Sequence, residues 1–110
     1  MFVFTERRQV KDWPATIKIA QDGGKTISAD ITLDLNLLPV DEYQAKLADG
    51  TNKLLDAVLE GFSGISDTKE QPLKDTPANR QKLYQHAPFT DAVFTAYRQA
   101  NSGEAARKNS

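Results

Sequence analysis

Gly24-Lys25-Thr26 ends like a phosphate-binding loop, in which backbone amides at a helix N-terminus cradle an anion. That loop requires a glycine where this chain has Ile19, and it must open a helix, whereas residues of strand character follow Thr26. A hairpin turn is the better reading of Asp22-Gly23-Gly24. His86 is the sole histidine and has no recognisable Asp or Ser partner nearby, so it suits a helix-terminal charge or a surface position better than a general base. The carboxylates Asp41, Glu42, Asp56 and Glu60 are spaced for solvated helix faces, and no Asp-x-Asp-x-Asp-Gly run supports a calcium loop. The absence of cysteine removes thiolate nucleophiles, soft metal ligands and disulfides together. The expectation is a protein that is not an enzyme and carries no cofactor or metal.

The elements are easier to read than any chemistry. Ala15, Ile17 and Ile19 alternate with Thr16 and Lys18, and the alternation resumes after the Gly-Gly turn. In the second arm Ile27, Ala29, Ile31, Leu33, Leu35 and Leu37 share one face, as in a half-buried strand. An arm of this length exceeds the usual strand of about five or six residues, so a second partner beyond the first arm is expected. Met1–Thr5 is the favoured internal candidate, a free edge for another protein the alternative. Glu6 to Pro14 reads as a charged connector ending in Trp13, which suits packing at a strand entrance.

Pro39 ends the strand and Asp41 is a candidate cap for a first helix, which Asp49-Gly50-Thr51 interrupts. Leu54, Leu55, Val58, Leu59 and Phe62 then fall on one face of a helix predicted over 51–62. Residues 63–75 lack an apolar period and read as a loop, with Ile65 and Leu73 as tethers. Thr76-Pro77 opens a helix to about His86, Ala87-Pro88 breaks it, and a final helix ends near Asn101-Ser102-Gly103. The fold class is therefore α+β: an N-terminal antiparallel hairpin or three-stranded meander packed on three to four short helices. A single domain is expected over 1–101, with a β region at 1–38, a helical region at 39–101 and a flexible tail at 102–110.

The charge runs along the chain as a gradient. Residues 1–40 carry five basic and five acidic groups, 41–76 four and eight, and 77–110 five and two. A DNA binder concentrates Lys and Arg on one face, so nucleic acid is not expected as a partner. Phe89, Val93 and Tyr97 occupy the core face of the last helix, which argues against a helix-turn-helix at Ala87-Pro88. Met1-Phe2-Val3-Phe4 is too short for a signal peptide and no run of about eighteen apolar residues occurs, so a soluble protein without a membrane span is expected, in the cytoplasm by default.

Trp13-Pro14, a strand, Asp22-Gly23-Gly24, a long alternating strand, Leu38-Pro39 and Val58-Leu59-Glu60-Gly61-Phe62-Ser63-Gly64-Ile65 follow one another in an order that resembles the tail assembly chaperones of long-tailed phages and prophages. Ala87-Pro88-Phe89, Ala96-Tyr97 and the terminal Ser102 to Asn109 resemble the end of that family's chains. The resemblance covers nearly the whole chain, though each element is short. It implies a non-enzymatic helper that binds the tape-measure protein, keeps it soluble and helps recruit major tail (tube) protein subunits. Such a helper acts in the host cytoplasm during assembly and is left out of the virion; in many members a frameshift adds a second domain. Self-association is left open. A structural virion component, such as a head-tail completion or minor tail protein, is the alternative. The family fixes no binding residues by motif; exposed members of the set Trp13, Phe62, Tyr84, Phe89 and Tyr97 are the candidate partner contacts, against core packing for each.

Overall fold

The computed structural model describes residues 1–105. Two long strands, β1 (Arg8–Ala20) and β2 (Thr26–Leu37), are followed by α1 (Val40–Ala48), α2 (Thr51–Val58), β3 (Leu59–Ser63), α3 (Pro77–Tyr84) and α4 (Ala87–Ser102). The architecture is α+β: one three-stranded antiparallel sheet of order β1-β2-β3 with four helices. The buried face of β2, Ile31 through Leu37, meets Leu54, Leu55 and Val58 of α2 and Phe89, Val93, Ala96 and Tyr97 of α4 in one apolar cluster. Of the predicted tail, Ser102 is helical, Gly103 caps α4 in the left-handed region at φ 79°, and residues 106–110 lie outside the described residues.

The third strand is neither of those expected. Met1–Thr5 forms no strand; β2 pairs instead with β3, inside the segment predicted to be helical. Nor does β1 stop short, since it begins at Arg8 and pairs along β2 from Arg8↔Leu37 to Ala20↔Thr26. Both corrections have one physical cause. In β1 the register shifts between Val10 and Trp13, so that Val10 faces Leu35 and Trp13 faces Leu33 with an extra residue between them. In β3, Leu59 faces Leu35 and Phe62 faces Leu33, again with a shift. A bulge spaces two same-face residues three apart instead of two, and that is also helical spacing. The pattern at 58–62 therefore mimicked a helix, and the pattern at 10–13 lost its alternation.

Both bulges converge on Asp34 of β2, whose carboxylate accepts a hydrogen bond from the Asp12 amide at 2.9 Å. Asp12 holds a positive φ of 53°, which Asp tolerates better than most residues. On the other side Gly61 lies opposite Asp34, where a Cβ would stand 3.3 Å from its Oδ2.

The helix starts follow the sequence more closely than the stops: α1 begins at Val40 after Pro39, without a cap from the side chain of Asp41, α2 ends at Val58 rather than at 62, and α3 ends at Tyr84. Thr76 Oγ1 accepts from the Asn79 amide at 3.1 Å with Pro77 in the first turn of α3. Asp49-Gly50 separates α1 from α2. The loop from Gly64 to Asp75 is closed by its own bridge, Ser66↔Pro72, and by Asp67, whose Oδ1 accepts from the amides of Lys69 and Gln71 at 2.8 and 3.0 Å. Ile65 and Leu73, its expected tethers, are both half-buried.

Candidate protein-binding surfaces

The five aromatic residues singled out from the sequence divide by burial. Tyr84, Phe89 and Tyr97 are core residues, so they present no side-chain surface comparable to a free contact. Phe89 is flanked by Tyr84, with ring centroids 6.5 Å apart, and by Phe62 edge-on at 6.3 Å. The Tyr84 hydroxyl donates to Asp56, and the Tyr97 hydroxyl accepts from the Leu38 amide at 3.1 Å. Burial, first of all, holds both phenols protonated beyond the usual tyrosine range. Trp13 and Phe62 are half-buried, and the indole N–H of Trp13 donates to Gln99 Oε1 of α4 at 3.3 Å. Their packing role is visible: one ties β1 to α4, the other closes the sheet over Phe89.

A residue that sequence reasoning passed over organises the ground beside Tyr84 and Asp56. Arg80 of α3 donates through Nε and Nη2 to both carboxylate oxygens of Asp75, the second at 2.8 Å. Its Nη1 reaches the carbonyl of Leu59 at 2.7 Å and its Nη2 that of Glu60 at 3.2 Å. The fork of a guanidinium suits this two-sided grip, and the Asp75 bond raises its already high pKa further. Arg80 thereby fastens α3 to the point where α2 becomes β3. The spacing Asp75…Arg80 around a Thr-Pro cap was the available signal.

The exposed apolar surface lies elsewhere, in three places. First, α1 carries Val40, Tyr43 and Leu47 on one stripe, yet none of its residues is buried, and Val40 and Leu47 are 71 and 51 % exposed. Tyr43 stacks on Tyr97 at 5.5 Å, and beside this pair a groove of about 680 Å³ runs between α1 and the C-terminal half of α4, floored by Leu38, Tyr43 and Tyr97. A second cavity of about 560 Å³ opens on the other side of Tyr43 and Leu47 toward Leu54 and Phe94. Together they form a trough whose apolar floor is flanked by polar side chains, among them Gln44, Asp91, Arg98, Asn101 and Glu104. Second, the hairpin projects beyond the helices: every residue from Lys18 to Asp30 is exposed, including Ile19 and Ile27 on the core-facing side. Third, Phe2, Val3 and Phe4 are 84, 74 and 73 % exposed.

His86 is exposed and precedes α4 without a capping bond from its side chain. Among the described residues no cluster of three or more His, Cys, Asp or Glu could hold a metal ion, and no helix is long and apolar enough to cross a membrane. No family model, curated protein or solved structure matches the chain.

Proposed function

We propose that this protein is a phage or prophage tail assembly chaperone that binds the tape-measure protein through the α1–α4 trough. The resemblance in residue order along the chain supports that reading, and the single structural observation that carries it is the uncovered stripe of α1. A helix that turns Val40 and Leu47 outward beside an apolar groove suits an amphipathic helix laid into it. A tape-measure chain is long and helical with apolar stretches, so covering those stretches keeps it soluble until tail-tube subunits are recruited. The protein acts in the cytoplasm of the host and is absent from the finished virion.

Co-expression with the tape-measure protein tests this, scoring both capture and the solubility of the partner. The wild-type chain captures and solubilises it; Val40→Asp with Leu47→Asp, both at exposed positions, abolishes capture while the fold persists. No capture by the wild type, with the protein found in purified particles, would replace the chaperone by a structural tail component. Capture unaffected by the paired substitution would move the contact away from the trough.

A further inference from the structure

The projecting hairpin and the N-terminal segment are two unpartnered apolar features at opposite ends of the same strands. At the tip, Ile17↔Ala29 and Ile19↔Ile27 are cross-strand pairs on the core-facing side, continuing the row Ala15↔Ile31 beyond the reach of the helices. Ile19 and Ile27 are 39 and 52 % exposed. Beside them β2 has a bare edge, because β3 pairs only with Thr32 through Leu35 and leaves Thr26 to Asp30 without a strand on that side. A long uncovered edge with apolar side chains is a template for another extended segment. At the base, Arg7 is paired with Glu42 at 2.8 Å and Arg8 with Asn101 at 2.9 Å, which anchors the start of β1 and leaves Met1–Thr5 outside any helix or strand.

We propose that the hairpin tip of one copy is covered by residues Met1–Phe4 of a second copy, in a reciprocal two-fold dimer. Reach excludes the same chain as the source. From Arg8 to Ile19 the strand extends about 36 Å, whereas the seven residues before Arg8 span about 25 Å at full stretch. A two-fold axis crossing the hairpin brings the base of each copy to the tip of the other, so both apolar features are satisfied twice and the assembly closes. The sizes agree: the four residues Met1–Phe4, extended, cover about 13 Å, and the tip row from Ala15 to Ile19 about 13 Å. The chemistry agrees as well. Phe, Val and Phe in succession are strong strand formers that suit a sheet edge, whereas the α1–α4 trough suits a helix, so the two surfaces take different occupants.

Sedimentation of the full chain over a range of concentrations tests the dimer, with two variants that leave the core untouched: Ile27→Asp at the tip, and Phe2→Ser with Phe4→Ser at the N-terminus. The wild type sediments as a dimer, and each variant dimerises about tenfold more weakly or worse. Mixing the two variants produces a heterodimer weaker than the wild-type dimer but tighter than either variant alone, because at one of its two contacts the intact N-terminus of one copy meets the intact tip of the other. A wild type that stays monomeric at every concentration overturns the proposal. So does a dimer that survives the Phe2 and Phe4 substitutions, or a variant mixture that associates no more tightly than either variant alone. Capture of the tape-measure protein is read separately, so the failure of either idea leaves the other standing.

Discussion

At the scale of single residues, Asp34 and the two buried tyrosines make the sharpest demands. The Asp34 carboxylate serves the Asp12 amide where β1 bulges and faces Gly61 where β3 bulges. Asp34→Ala should destabilise the fold by about 1 kcal/mol, since a hydrogen bond to a charged group is worth about 1.5–3 and this one is partly solvated. Chemical denaturation reads the change, and Asp34→Asn, which keeps an acceptor, should recover most of it. Loss of stability equal for Ala and Asn would mean that the acceptor is not what matters. Tyr84 and Tyr97 make a prediction about pH. Burial raises both pKa values in the folded state, so above about pH 10 the unfolded chain loses these protons while the folded one keeps them. Their contribution to stability is complete below that pH and falls as pH rises through it. Denaturation midpoints at about pH 8 and about pH 11 should therefore differ, and Tyr84→Phe should reduce the difference. A slope unchanged by that substitution would place the alkaline sensitivity in other groups.

At the scale of elements, α1 is the weak member. It buries no side chain completely and is held by the Tyr43 stack on Tyr97 and the surface pair Arg7–Glu42, whereas α4 buries six residues. Its amides should exchange with solvent markedly faster than those of α4, and a bound helix in the trough should slow them. Equal protection of the two helices in the free protein would contradict the loose attachment. The same elements show what the sequence could disclose. The hairpin, the Thr76-Pro77 start of α3, the Ala87-Pro88 junction and the Gly103 stop were legible, because each rests on local chemistry that the rest of the fold does not oppose. The first half of β1 and all of β3 were not, because a bulge disguises strand spacing as helical spacing and only the neighbour across the sheet exposes the difference. The candidate contacts suffered similarly: aromatic type marked Tyr84, Phe89 and Tyr97, and only packing showed them turned inward. Val40 and Leu47 are commonplace aliphatics, and their interest comes solely from the missing cover above them.

At the scale of the whole molecule, the chain measures 47 × 31 × 26 Å, with the hairpin tip at one end of the β1–β2 ladder and the free N-terminal segment at the other. The trough between α1 and the C-terminal half of α4 lies at the N-terminal segment's end of the ladder, away from the bare edge at the tip. A special status belongs to the junction at Val58 and Leu59, where α2 passes into β3 with no intervening residue. Chain length there is not a free variable. One residue added between Val58 and Leu59 would shift β3 by one place along its bulged register, moving Leu59 off its place opposite Leu35, setting Glu60 against Asp34 in place of Gly61 and leaving Gly61 where Phe62 covers the core. The same addition beside Gly23 would lengthen an exposed turn, and one within 67–71 would cost only the surface bonds that close that turn on Asp67. A scan of single-alanine insertions, read by soluble yield and thermal midpoint, should therefore show tolerance at both turns and collapse at the junction. An equally tolerant junction would mean that β3 is held by something other than its register. Any change of length that this fold tolerates should fall at the turns, not at the seam between helix and sheet.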